Sequence, residues 1–231
     1  MTVVVAHRGA SKAERENTMD AFLVATELGA DWIELDVRRT SDEVLVVHHD
    51  AHLHDGRALV DTLAADLPDH IPSLAEVLDR CSDVGVNIEI KNDPGDPDYD
   101  AEHQISAAVA GLCAAYRTPN DVMISSFNID ALSRIQAIDS TWPVALVVFD
   151  VLDPAQLLER STARGHAAVN PYTAIADRRF VERAHEVGLA VNVWTVNEPD
   201  VVARLVELGV DGVITDDPAM ARRVIDEAAV D

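Results

Sequence analysis

Short apolar runs alternate along the chain with segments whose apolar residues recur at helical spacing. The runs are VVVAH (3–7), WIELDV (32–37), VNIEIK (86–91), VMISSF (122–127), VALVVF (144–149), AAVN (167–170), AVNVWT (190–195) and GVIT (212–215). Helical patterns fall near 19–28, 74–82, 102–116, 130–138, 154–164, 178–187, 198–207 and 218–228. Several close on glycine just ahead of the next strand, as in ELGADWIEL, EVGLAVNVW and ELGVDGVIT, where a left-handed residue commonly ends a helix. Strands alternating with helices build βαβ units and a parallel sheet. Eight such units predict an α/β fold, the (β/α)8 TIM barrel. A doubly wound open sheet usually has fewer strands and a glycine-rich first turn, whereas the turn here, HRGASK, has no G-x-G-x-x-G. No compositional break interrupts the series, so residues 1–231 read as one barrel domain.

One segment departs from the alternation. After WIELDV comes a second extended run, VLVVHH (44–49), and then a long irregular stretch before the next helix. This short insertion after the second strand covers about 43–72, between that strand and the second helix. Long loops of this kind in compact domains are usually functional.

Composition narrows the function classes. The 41 acidic residues against 18 basic ones give a net charge of −23. Nucleic-acid binding needs a basic stripe and anionic membranes need basic segments, so neither partner is expected, and the excess acid reads as a solvated surface. No run approaches the roughly 20 apolar residues of a membrane span. The start, MTVVVAHRGA, lacks the basic region of a signal peptide. Cys81 and Cys113 form no C-x-x-C pair and read as buried thiols of a reducing compartment. A cytoplasmic protein without stable membrane association is the expectation, and the sequence carries no signal for an oligomeric state.

The candidate chemistry sits where barrel enzymes keep it, at the C-terminal ends of the strands. The first strand ends on His7 and Arg8, the second carries Glu34 and Asp36, and the third carries Glu89 and Lys91. Residues two apart on a strand share a face, roughly 6.5–7 Å apart. Glu34 with Asp36, and Glu89 with Lys91, therefore point together into the barrel mouth, while Ile33, Leu35, Val37, Ile88 and Ile90 pack outward. Three carboxylates converging there repel one another and resist burial unless a cation or an arginine network pairs them. Hard oxygen donors suit Mg²⁺, Ca²⁺ or Mn²⁺ rather than zinc. Lys12 and Lys91 are the only lysines, which draws attention to the one ending an apolar strand. Of the nine histidines, His52, His54, His70, His103, His166 and His185 read as surface residues. One of His48 and His49 can face His7 across the mouth, and two near-neutral imidazoles suit acid–base cleavage of a phosphate ester.

The ordered set HRG…ENT…GAD-x-IELDV…VV-x-HD…IEIK, with SSFN, NVWTVN and GVDGVITDDP further on, resembles the glycerophosphodiester phosphodiesterase family over nearly the whole chain. That resemblance implies a TIM barrel with a small insertion after the second strand. It also implies hydrolysis of small-molecule glycerophosphodiesters to glycerol 3-phosphate and an alcohol. His7 and His49 become the acid–base pair, His49 because the family histidine directly precedes Asp. Glu34, Asp36 and Glu89 become ligands of one divalent cation, and Arg8 and Lys91 phosphate contacts. Trp194 falls where the family often has an aromatic pocket residue, and Phe127 is a second candidate for the wall. Arg15 stands where Pro commonly precedes ENT. The arginine usual after HD is missing from LHDGRALV, which leaves Arg57 as the nearest substitute. A lysophospholipase D acting on larger lipids is the competing enzyme reading. A non-catalytic binding barrel is the competitor from another class, and such a relative would be expected to lose a histidine or a ligand.

Overall fold

The computed structural model describes residues 1–229. Its strands are β1 (Val3–Ala6), β2 (Trp32–Arg39), β3 (Leu45–Val47), β4 (Gly85–Ile90), β5 (Val122–Ser126), β6 (Val144–Val148), β7 (Ala168–Pro171), β8 (Ala190–Val193) and β9 (Gly212–Thr215). Eight of these run parallel in the order β1-β9-β8-β7-β6-β5-β4-β2, and a β1–β2 pairing closes the ring. Helices α1 (Met19–Glu27), α2 (Leu74–Arg80), α3 (Gln104–Tyr116), α4 (Ile129–Ile138), α5 (Pro154–Ala163), α6 (Arg178–Glu186), α7 (Pro199–Leu208) and α8 (Pro218–Ala228) surround it. The expected TIM barrel is thus the observed fold.

Local chemistry explains the punctuation. Thr18, Ser73, Asn128, Asp153, Asp177 and Asp217 cap their helices by accepting from first-turn N–H groups. Gly29, Gly188 and Gly209 end helices at φ of 85°, 80° and 78°, the left-handed region read from the ELG and EVG stops. The outward faces of the strands, including Ile33, Leu35, Val37, Ile88 and Ile90, are buried under the helices in one continuous core. Cys81 and Cys113 are both buried and unpaired, and burial pushes the Cys113 thiol up to about 12. No helix among the described residues is long and apolar enough to cross a membrane.

Between β2 and α2, β3 pairs antiparallel with the end of β2. The rest of the segment folds over a small apolar cluster of Val46, Leu53 and Leu59. β3 is shorter than the run VLVVHH. The N–H groups of Val47 and His48 bond Pro72 O and Asp36 O, and beyond them the chain bends out of the strand.

His166 corrects the surface reading. It is only 6% exposed, and neither ring nitrogen has a partner. The polar turn ARGH gave no sign of this burial. Burial, followed by the Arg164 charge, lowers its pKa to about 4. An unfolded imidazole titrates near 6.5 (~6.5), so the unfolded chain binds the extra proton between these values. The stability tied to neutral His166 is therefore present above about pH 6.5 and lost as pH falls toward 4. In urea unfolding at pH 7 and pH 5, His166→Leu is expected to shrink the acid-induced loss of stability by about 2 kcal/mol. An unchanged pH dependence would exclude His166 as a source of acid sensitivity.

Candidate active site

β1 carries Val5 on its inward face, His7 follows its last residue on the same side, and there the chain turns sharply. Arg8 and Gly9 take φ of 55° and 83°. A Cβ on Gly9 would lie 2.7 Å from the Ala21 backbone, so only glycine fits that turn. The left-handed Arg8 aims its backbone N–H at Glu34 Oε2, 2.9 Å away. His7 Nδ1 lies 2.6 Å from Asp216 Oδ1 at the end of β9. A carboxylate only accepts, so Nδ1 carries the proton and Nε2 is left free for proton transfer. Burial alone would lower the His7 pKa. The Asp216 hydrogen bond and the Glu34 charge outweigh it and raise the value above that of a free imidazole. Asp216 is itself fixed by Asn197 Nδ2 and Ser11 Oγ.

Glu34, Asp36 and Glu89 are 2%, 1% and 9% exposed, and one oxygen from each lies within 4.8 Å of the others. β2 and β4 are adjacent and in register, Asp36 beside Glu89, which brings the three acids together. Asn17 Nδ2 donates to Asp36 Oδ2 at 2.8 Å. Lys91 Nζ reaches Asp36 Oδ1 at 3.1 Å and also pairs with Glu89, while Arg8 Nε sits 3.3 Å from Asp36 Oδ2. Against the cost of burial, Lys91 and then Arg8 hold the Asp36 carboxyl well below its usual range. Glu34 goes the other way: burial, then the Asp36 charge, pushes it up to about 8. Burial also raises Glu89 despite its contact with Lys91. Lys91 and Arg8 pair with Asp36 and Glu89, whereas Glu34 forms an ion pair with neither and its Oε1 has no hydrogen-bond partner. An unpartnered buried carboxylate oxygen among hard oxygen donors fits a divalent cation.

Eight of the nine residues singled out in the sequence line one cavity of about 130 Å³ at this end of the barrel, and Asp36 lies behind it. His49 faces the cavity from the β3 segment, with Nδ1 2.7 Å from Asp50 Oδ1. Its carbonyl accepts from Arg38 Nε at 2.7 Å, and Arg38 is clamped in turn by Asp98 and Asp96. His48 lines a different cavity, beside Arg15 and His70. Phe127 and Trp194 meet edge to face at 5.6 Å, and the Lys91 ammonium sits 5.7 Å from the Phe127 ring centre. Arg57 does not join them. It bonds Asp55 and the Asp66 carbonyl on the surface of the insertion.

Sequence reasoning passed over Asp216, Asn17 and Arg38. Asp216 follows GVIT directly, so the rule that found the other strand-end polar residues also reaches it. Asn17 stands in ENT at a φ of 55°, and nothing local in the sequence says that it reaches Asp36.

The model of the glycerophosphoryl diester phosphodiesterase family matches residues 7–220. A glycerophosphodiester phosphodiesterase of Caldanaerobacter subterraneus is 32% identical, over 94% of this chain and 95% of the relative. One from Bacillus altitudinis is 30% identical, over 98% and 99%. Among solved structures, an Oleispira antarctica phosphodiesterase in complex with the product sn-glycerol-3-phosphate superposes with a TM-score of 0.88 at 26% identity, over 98% and 97% of the two chains. The family match begins at His7 and runs past every residue of the barrel mouth, and relatives at this identity share almost the full length. On those grounds the chain belongs to the glycerophosphoryl diester phosphodiesterase family.

Proposed function

We propose that this protein hydrolyses glycerophosphodiesters to glycerol 3-phosphate and an alcohol, with His7 and His49 as the acid–base pair. The observation that carries this is the meeting of both imidazoles with three buried carboxylates around one cavity. In this reading Glu34, Asp36 and Glu89 hold one Mg²⁺ or Ca²⁺, with Mn²⁺ also suited to the donors. A cation held by these three residues would supply Lewis-acid neutralisation of the phosphate charge. His7, its Nδ1–H fixed on Asp216, offers Nε2 to take or return a proton. His49 performs the complementary transfer, so that one imidazole activates the nucleophile and the other protonates the departing alcohol. Arg8 and Lys91 offset the charge that grows on the phosphate oxygens. Phe127 and Trp194 wall the pocket and exclude water from it. The segment 43–72 belongs to the same single catalytic domain, since it supplies His49.

A second reading, cleavage of lysolipids, draws on Phe149, which is 61% exposed with its ring centre 6.2 Å from that of Trp194. That apolar shelf beside the pocket suits an acyl chain, whereas the net charge of −23 opposes docking on anionic membranes. Coupled detection of choline released from glycerophosphocholine, beside a lysophosphatidylcholine control that would give choline and lysophosphatidate, separates the two. Release from the first substrate alone is expected, and release from neither would end both readings.

Lys91 offers a further check. It neutralises Asp36 and Glu89, so Lys91→Met is expected to lower the melting temperature of the cation-free protein, because a buried carboxylate loses its partner. With cation restored, its loss is expected to fall on kcat more than on KM, by at least about tenfold, or ~1.4 kcal/mol of barrier. Lys91→Arg is expected to rescue poorly, since a planar fork does not replace a compact ammonium. A lowered melting temperature with near-normal kcat would leave Lys91 as a structural partner only.

A further inference from the structure

Five buried side-chain oxygens among the described residues have no hydrogen-bond partner. Two belong to helix serines, Ser106 in α3 and Ser161 in α5. The other three, Glu34 Oε1, Asn87 Oδ1 and Ser125 Oγ, sit on the adjacent strands β2, β4 and β5. Register places them side by side: Glu34 pairs with Asn87, and Glu89 pairs with Ser125. Asn87 stands two residues before Glu89 and therefore shares its inward face. Ser125 lies between Met123 and Phe127, which line cavities at opposite ends of the barrel, so it too points inward. Asn87 is 6% exposed and Ser125 fully buried.

A buried polar group without a partner destabilises the fold unless something bonds to it. One of the acids and two neutral neighbours, all unpartnered and side by side, indicate something held between them. Packing does not seal this level of the barrel. Asn87 and Ile214 line both the catalytic cavity and a second cavity of about 290 Å³ that opens at the opposite, N-terminal end. That volume far exceeds the ~10–15 Å³ of probe-occupied space needed to house a water. An amide oxygen and a hydroxyl are neutral, so they add hydrogen-bonding capacity below the acids without adding repulsion. Mg²⁺-like cations also keep several of their waters when bound.

We propose that Asn87 and Ser125 form a neutral oxygen floor beneath Glu34, Asp36 and Glu89, binding the water on the barrel side of the cation and so raising its affinity. This rests on the cation site proposed above. Both are positioning residues acting through water.

Mn²⁺ titration followed by electron paramagnetic resonance tests the floor, with the melting temperature of the cation-free protein measured in parallel. Asn87→Leu is expected to weaken Mn²⁺ binding about 10- to 100-fold, the usual effect of losing a group that supports metal ligands. Ser125→Ala is expected to weaken it several-fold. Neither change should lower the cation-free melting temperature, because each removes a polar atom that has no partner without the ion. Wild-type affinity in both variants overturns the floor and leaves the three-carboxylate site standing. Weakened binding accompanied by a matching loss of cation-free stability overturns it too, since that marks a general packing defect. If wild-type protein binds no Mn²⁺, the cation site itself falls and the floor with it. Should Asn87→Leu fail to fold, Asn87→Ala and Ser125→Ala decide the question by the same readings.

Discussion

Chelation by EDTA is expected to abolish release of glycerol 3-phosphate, and Mg²⁺, Mn²⁺ or Ca²⁺ to restore it. The reason lies in the charge balance. Three carboxylates at most 9% exposed are paired by Lys91 and Arg8, with the His7 and His49 imidazoles nearby, and the Arg8 guanidinium is shared with Glu16. Buried like charges this close are tolerated when a cation sits between them. Glu34→Gln, Asp36→Asn and Glu89→Gln are each expected to weaken cation binding while leaving the barrel folded. They should differ in their side effects. Asp36 holds Lys91, Arg8 and Asn17 at once, so its amide is expected to cost stability. Glu34 keeps an unpartnered oxygen and feels repulsion from its neighbours, so its amide is expected to leave the cation-free melting temperature equal or higher. Full activity in chelator would falsify the cation site and make the acids a closed ion-pair network with Lys91 and Arg8.

His49→Ala is expected to lower kcat by about 10²–10⁴, the range for a positioned general acid or base, while His48→Ala stays within a few fold of wild type. The neighbours part company because the chain bends after Val47. His49 turns into the catalytic cavity, and His48 turns toward Arg15 and His70. Arg38 holds the bend by donating to the His49 carbonyl. Steady-state kinetics on both variants, with folding checked by circular dichroism, decides the matter. If His48→Ala were the inactive variant, the proton-transfer role would pass to the other imidazole and the assignment of His49 would be lost.

Much of this could be read from the sequence, because two of the governing rules are local. Alternation along a strand sends Glu34 with Asp36, and Glu89 with Lys91, to one face. Strand–helix repetition makes that face the inside of a barrel. The same rules put His7 and Arg8 at the mouth and Ile33, Leu35 and Ile88 under the helices. Glycine stops marked three helix ends within a residue or two, since they act within one turn. Tertiary structure alone decided the rest. His7 meets Asp216 across 209 positions of sequence, and that contact settles which imidazole nitrogen carries the proton. Asn17 reaches Asp36, and Arg38 reaches His49, through turns whose direction no periodicity encodes. His166 is buried, which its polar neighbours do not reveal. Asn87 and Ser125 look like ordinary polar strand residues until parallel register sets them beside Glu34 and Glu89. Face and burial along one strand follow from backbone geometry repeated every two residues. Which side chains then share a space depends on closure and register, and those are fixed only by the pairing of distant strands.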